Sequence, residues 1–327
     1  MRNKLKQLTE ALLSNDRFLL LSHVDPDGDA VGSLIALHAL LERRGKRAVA
    51  YDRDGVPEIY RFLRGSENIH SSLETPDGFD AAIFVECPNV GRAGENAAAL
   101  VEKIPLWINI DHHRDNGNFG HLNIVDPQLS ATGELVYEVF QLLQEPLDRM
   151  TAEALYAAIM TDTGSFRFPN TTPRAHVISA ELIGLGIEPH EIYQRIYENL
   201  SKPAALINAR AHATLEILDG YSCVTVTRAM LKETGATAED THEIVNYGRN
   251  IESIEVAVLL REMEQGIKVS LRSKSRVNVS EIAARFGGGG HIRAAGCTIQ
   301  ADMEQARRLI FAEVERALEK SHSASRS

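Results

Sequence analysis

Cysteine is scarce in this 327-residue chain: Cys87, Cys223 and Cys297 are an odd number without the paired spacing of a metal knuckle. That excludes a disulfide framework and fits a reducing interior. Tryptophan occurs once and aromatic residues amount to 6%, which offers little for a long stacking track along a nucleic-acid strand. Basic residues are outnumbered, 35 against 45 acidic, for a formal net charge of -10. Broad attraction to long duplex nucleic acid is therefore not expected. No apolar run reaches about 18 residues, the length that spans a membrane, and none follows a basic N-terminal segment. The expectation is a cytoplasmic protein with no membrane contact.

Hydrophobic residues at 44% and charged residues at 24% are those of a globular chain. Its length suits two domains. Residues 1–16 carry Leu5, Leu8, Leu12 and Leu13 at helical spacing. Apolar strands are expected over 18–24, 47–51, 80–86 and 106–110. They alternate with helices over 29–44, 132–143 and 151–160, the pattern of a parallel sheet covered on both faces. Helical spacing continues over 175–185 and 189–218, broken near Pro203. Strands over 221–227, 254–260 and 267–272 and a closing helix over 302–318 complete a second domain. The fold class is α/β: an N-terminal parallel-sheet domain (1–188), a helical connector (189–219), a smaller α/β domain (220–320) and a disordered tail (321–327).

The N-terminal domain is organised around Ser22-His23-Val24-Asp25-Pro26-Asp27-Gly28-Asp29, a turn between a buried strand and a helix. One imidazole and three carboxylates in so short a stretch repel each other unless a cation lies among them. The competing reading is structural, with Asp27 and Asp29 as turn and helix-capping residues and His23 as a satisfied strand-end histidine. Two more strands end on chemistry-bearing residues, Glu86 and Asp111-His112-His113, and Asp162 closes a helix. Ligands of parallel sheets lie outside the carboxyl ends of the strands, so all these residues are expected on one rim. His23 and His112 with Asp27, Asp29, Glu86 and Asp162 supply two imidazoles and four carboxylates. Two divalent cations would balance the four negative charges. Nitrogen and oxygen donors without a thiolate suit manganese, with magnesium, cobalt or zinc as alternatives. Such a pair, about 3.5–4 Å apart, activates water for in-line displacement at phosphorus.

The C-terminal domain has its own signal in Gly287-Gly288-Gly289-Gly290-His291. Four glycines in a row are poor for regular structure but let backbone N–H groups approach an anion. From 268 to 293 there are six basic residues, Lys268, Arg272, Lys274, Arg276, Arg285 and Arg293, against the single acid Glu281. In an acidic chain this points to a phosphate-bearing ligand.

These motifs, in this order, resemble the DHH phosphoesterase family, and within it the bifunctional oligoribonucleases and pAp phosphatases. Asp111-His112-His113 matches the naming motif, His23 to Ser33 the first motif, Asp162 to Phe166 the fourth, and Gly287 to Gly296 the glycine-rich motif of the DHH-associated C-terminal domain. The resemblance implies that His23 and Asp27 hold one ion, and Asp29, His112 and Asp162 the other. Glu86 stands where the family's second motif has a bridging aspartate, and is expected to bridge. By the same resemblance Asp25 would be a supporting residue and Asp111 would orient His112. His113 would contact the scissile phosphate, with no covalent enzyme intermediate. Arg272, His291 and the backbone of Gly288, Gly289 and Gly290 would grip a second phosphate or the terminal nucleotide. The implied activity is hydrolysis of very short RNA to mononucleotides and removal of the 3'-phosphate of pAp. A soluble phosphodiesterase of c-di-AMP or linear pApA is the sibling alternative, and a catalytically decayed nucleotide-binding regulator is an answer of another class. The resemblance also implies a homodimer.

Overall fold

The run Arg17-Phe18-Leu19-Leu20-Leu21 forms strand β1 (Arg17–Leu21), buried at every position but the first. Its side chains alternate between two cores. Phe18 and Leu20 belong to the larger one with residues of the covering helices, whereas Leu19 and Leu21 join Phe84, Ala97 and Val101 on the opposite face. A strand apolar on both faces belongs in the middle of a covered parallel sheet. The computed structural model describes residues 1–73 and 78–324. It divides into two compact units, residues 1–199 and 200–327.

In the first unit, β2 (Arg47–Tyr51), β3 (Ile69–His70), β4 (Ala81–Val85), β5 (Leu106–Asp111) and β6 (Leu122–Val125) join β1 in the order β3-β2-β1-β4-β5-β6. Every pairing is parallel. The chain builds outward from β1 to β3 and then returns to place β4 on the other side of β1. The β1/β4 boundary is thus the point where strand order reverses, and the crevice beyond it is where ligands of such sheets bind. The larger core is covered by α1 (Arg2–Ser14), α2 (Gly28–Arg43), α4 (Thr132–Leu143), α5 (Arg149–Asp162), α6 (Pro173–Ile183) and α7 (Pro189–Tyr197). The opposite face carries the short α3 (Ala97–Val101) and the turn at Val90–Ala93, helped by Trp107 and Phe119, which pack against the core there.

Strand β1 ends three residues earlier than its apolar run suggests, so Ser22 to Asp27 form a loop before α2. The backbone there turns: Asp25 has φ 57°, and Asp27 caps α2 by accepting from the Ala30 N–H at 2.9 Å. Helices α2 and α5 lie very close. A Cβ built on Gly32 would stand inside van der Waals contact of the Ala154 carbonyl oxygen. This approach brings the first residues of α2 beside the last residues of α5.

The second unit begins with α8 (Lys202–His212), whose Ser201 cap and Pro203 mark the break expected in the helical stretch. Instead of one connector over 189–219, α7 packs Ile192 and Ile196 into the first core and α8 packs Ile207 and Ala211 into the second unit. Strands β7 (Glu216–Ile217), β8 (Tyr221–Val226), β9 (Val256–Glu262), β10 (Ile267–Ser273), β11 (Gly289–His291) and β12 (Ala294–Ile299) form a mixed sheet ordered β11-β12-β10-β9-β8-β7. Only β8 and β9 pair in parallel. One face packs on α11 (Val279–Ala284) and α12 (Met303–Ala324), the other on α8 and α10 (Ile244–Arg249), while α9 (Arg228–Thr234) has no fully buried residue. The glycine run contradicts the expectation of irregular structure, because Gly289 to His291 pair antiparallel with Ala294 to Gly296. Helix α12 also continues to Ala324, into the stretch 321–327 expected to be disordered; residues 325–327 lie outside the described ones. All three cysteines are buried and free. Among the described residues, no helix is long and apolar enough to cross a membrane.

The α2–α5 approach predicts the outcome of one substitution. Gly32→Ala should destabilise the first unit by about 1–3 kcal/mol through overpacking, read as a lower melting temperature. An unchanged melting temperature would show that the two helices separate at little cost.

Candidate functional site

Three strand ends and two helix ends meet at the carboxyl edge of the parallel sheet. His23 and Asp27 come from the loop after β1, Asp29 from the first turn of α2, Glu86 from the end of β4, Asp111 to His113 from the end of β5, and Asp162 from the last residue of α5. The donor atoms of Asp29, His112 and Asp162 lie within 4.8 Å of one another, as do those of Glu86, His112 and His113. The first group is the set expected from the sequence to hold one ion. Nε2 of His112 is the hub, 3.2 Å from Glu86 Oε1, 3.4 Å from Asp162 Oδ2 and 3.9 Å from Asp29 Oδ2. His23 and Asp27 form a pair at 3.9 Å. Among the described residues, no third donor joins that pair at the same range.

The tautomers follow from the partners. Nδ1 of His112 lies 3.2 Å from the Leu129 carbonyl oxygen, and Nδ1 of His23 lies 2.9 Å from that of Val24. A carbonyl only accepts, so Nδ1 carries the proton in both rings and Nε2 is left to face the carboxylates. Three carboxylate oxygens therefore converge on one ring nitrogen. A single proton there satisfies one of them at a time, whereas a divalent cation attracts all of them. The donor set of nitrogen and oxygen without thiolate fits a hard or borderline ion. The nearby Cys87 is turned away, its Sγ bonded to the Asn89 carbonyl at 3.1 Å.

The electrostatics reflect the same crowding. Asp29 and Glu86 are buried, and their ion-pair partners among the described residues are histidines only. Burial raises the pKa of Asp29 against the pull of His112, and raises that of Glu86 well above the usual carboxylate range, with the charge of Asp29 adding to it. Burial and Asp29 likewise push Asp162 up to about 7. Burial would lower the pKa of His112, but Glu86, Asp29 and Asp162 outweigh it and hold the ring up at about 11. The protein has thus assembled negative charge that requires positive charge among it.

What makes the assembly tolerable is the N-terminus of α4, which sequence reasoning missed. Asp29 accepts from the backbone N–H of Thr132 at 2.6 Å and of Gly133 at 2.9 Å, and from the Ser33 hydroxyl at 3.0 Å. The Thr132 hydroxyl donates to Glu86 Oε2. Helix N-termini favour negative charge. Gly133 lets the helix come this close, since an added Cβ would crowd Ala158 at 2.9 Å. Thr132-Gly133 reads in sequence as an ordinary helix start, so no residue-type signal marks it.

The role expected of Asp111 is corrected by its contacts. Its Oδ1 accepts from Nδ1 of His113 at 2.8 Å and from the backbone N–H of His112 at 2.8 Å. It therefore orients the ring of His113, while the ring of His112 is set by Leu129. Asn116 donates to Asp111 Oδ2 and, at 2.7 Å, to Oδ1 of Asn109, whose own amide bonds the Cys87 carbonyl at 2.9 Å. This chain of amides ties the ends of β4 and β5. Burial lowers the pKa of His113, but Asp111 and Glu86 reverse the effect and hold it at about 9. Asp25, expected as a supporting residue, is exposed, and its backbone N–H donates to Asp54 at 2.8 Å.

In the second unit the sheet register aligns His291, Ala294 and Arg272 in one row across β11, β12 and β10. Directly opposed residues share a face, so Arg272 and His291 flank the small Ala294, about 10 Å apart at two strand spacings. Arg272 is half-buried, and burial lowers its pKa. Lys268 lies on the same face of β10, with Arg261 directly opposite it on β9. Gly288 is packed so tightly against the Gly296 carbonyl that no side chain fits. Of the residues expected to bind phosphate, Arg272 and His291 thus share a face, whereas the Gly288 N–H is taken by the Ala283 carbonyl at 3.0 Å, which corrects its expected role as an anion donor.

Comparison with known proteins agrees with the motifs. Residues 17–159 match the N-terminal domain of the DHH family, and residues 221–320 match the DHHA1 domain. The chain is 35% identical over 287 residues to a bifunctional oligoribonuclease and PAP phosphatase NrnA from Thermus thermophilus, covering 87% of this chain and 85% of that protein. It is 29% identical to the Bacillus subtilis protein of the same name, covering 90% and 92%. Among solved structures, an exopolyphosphatase-related protein from Bacteroides fragilis shares the fold with a TM-score of 0.90 at 24% identity, covering 98% of each chain. The chain belongs to the DHH phosphoesterase family.

Proposed function

We propose that this protein hydrolyses very short oligoribonucleotides to mononucleotides and removes the 3'-phosphate of pAp. The observation that carries the reading is the convergence of Asp29, Glu86 and Asp162 on His112, beside a His113 ring aligned by Asp111. Two divalent cations, manganese by preference, fit the donor set; Asp29, His112 and Asp162 would hold one, His23 and Asp27 the other, and Glu86, whose Oε1 lies 3.2 Å from Nε2 of His112, would be a further ligand. When bound, such ions supply Lewis acidity and lower the pKa of water. The protein's own groups do the rest. The backbone N–H groups at the start of α4 hold Asp29 in place, so the carboxylate needs little reorganisation during turnover. Asp111 accepts from Nδ1 of His113 and, with Glu86, favours the doubly protonated ring, so that its Nε2–H would donate to the scissile phosphate or the departing oxygen. In the second unit, Arg272 and His291 with the backbone of Gly289 and Gly290 would bind a phosphate group. The similarity to the two oligoribonuclease and PAP phosphatase relatives supports this substrate class.

The test is a manganese-dependent activity panel of pAp, RNA of two to five nucleotides and c-di-AMP. Turnover of pAp to AMP and of dinucleotides to mononucleotides is expected, with c-di-AMP the poorer substrate. If the dinucleotides and pAp both stay intact, the reading fails; if c-di-AMP is cleaved fastest, the sibling activity replaces it. Replacing His113 with Ala should lower kcat by about 10²–10⁴-fold, the range for a lost proton-transfer group, with melting unchanged. Arg272→Ala should instead raise KM by about 10- to 100-fold, the worth of a charged hydrogen bond, with kcat held. A variant of Arg272 that loses kcat at constant KM would place that residue in the chemistry rather than in binding.

A further inference from the structure

The two carboxylates clamped by α4 are held in different ways. Asp29 has both oxygens occupied by backbone N–H donors. Glu86 has one oxygen occupied, by a side-chain hydroxyl. Its Oε1 is the atom facing the histidines, 3.2 Å from Nε2 of His112 and 3.1 Å from Nδ1 of His113. Thr132 and Glu86 are both buried, at 0% and 1% exposure, so no bulk water competes for the hydroxyl. The backbone of Glu86 is in the left-handed region, φ 55°, a strained conformation for a residue with a side chain. The turn is stabilised by a backbone bond, Glu86 N–H to the Ile110 carbonyl at 2.9 Å. A long, flexible side chain leaving a strained backbone needs a second anchor to point one way, and the Thr132 hydroxyl is that anchor.

We propose that Thr132 is a positioning residue for the metal centre: by holding Glu86 Oε2 it fixes Oε1 as the one oxygen that Glu86 presents to a cation. The inference rests on the metal-dependent reading above but not on its choice of substrate. A hydroxyl spends its single proton on Oε2, so that oxygen is a weaker donor to an ion than Oε1. The same residue contributes its backbone N–H to Asp29, so one residue of α4 sets the separation of two ligands that come from β4 and α2. The hydroxyl, not the threonine's bulk, is the working group. Valine has the same shape without the proton, and serine keeps the proton without the methyl.

Calorimetric titration of chelator-stripped protein with Mn2+, in the absence of any nucleotide, tests this. Thr132→Val should weaken binding by about 10- to 100-fold, the usual cost of removing a group that orients a metal ligand, whereas Thr132→Ser should stay near wild type. In Glu86→Asp the carboxylate is a methylene shorter and falls short of the hydroxyl. Adding Thr132→Val to that variant should therefore cost little more, and the pair should be strongly non-additive. Melting in chelator checks that each variant is folded; if Thr132→Val is not, Thr132→Ala takes its place with the same expectation. Wild-type affinity in the hydroxyl-free variant, equal loss in Thr132→Ser, or additive effects in the cycle would each overturn the proposal. Because no substrate is present, failure of the nucleotide panel leaves this result readable, and failure here leaves the panel untouched.

Discussion

Three carboxylates, Asp29, Glu86 and Asp162, converge on a single nitrogen of His112, and the rest of the first unit is arranged to make that crowding bearable. Bringing such charges out of water is unfavourable by several kcal/mol per ion unless hydrogen bonds and opposite charge compensate. The structure supplies hydrogen bonds from three sources. The start of α4 serves Asp29 and Glu86, Asn170 serves Asp162 at 3.2 Å, and the Leu129 carbonyl fixes the proton of His112. It does not supply enough positive charge of its own: among the described residues no lysine or arginine pairs with these three carboxylates. That deficit is the physical argument for cations.

The fold brings together ligands that lie far apart in the sequence. Strand order reverses between β1 and β4, which opens the crevice into which the loop after β1 and the end of β4 both project. The close approach of α2 and α5 at Gly32 then carries Asp29 and Asp162, 133 positions apart in the numbering, to the same nitrogen. Backbone strain is confined to turning points such as Asp25 and Glu86, where left-handed geometry aims the chain at the site.

Much of this was legible in the residues. Continuous apolar runs mark β1, β4 and β5, and the rule that ligands gather at strand carboxyl ends assigns Glu86 and Asp111 to His113 to one rim. The grouping of Asp29, His112 and Asp162 is implied by motif resemblance, and their donor atoms lie within 4.8 Å of one another. Other features were hidden for stated reasons. The pairing of Asp111 with His113 depends on which ring a carboxylate reaches, and adjacent histidines cannot be told apart by spacing. The clamp by Thr132 is mostly backbone N–H groups, which every residue carries. The strand at Gly289 to His291 is held by its partner β12 against glycine's own preference, a tertiary effect that local propensity misses. Two-residue β3 and four-residue β6 are edge elements too short to leave a periodic signal.

The deficit of positive charge can be checked by locating the ions. Anomalous diffraction at the manganese edge, from crystals grown with Mn2+, should give two peaks about 3.5–4 Å apart, one among Asp29, His112 and Asp162 and one beside His23 and Asp27, with Glu86 between them. Crystals that show no ordered ion among these side chains, at metal concentrations that support turnover, would contradict the account.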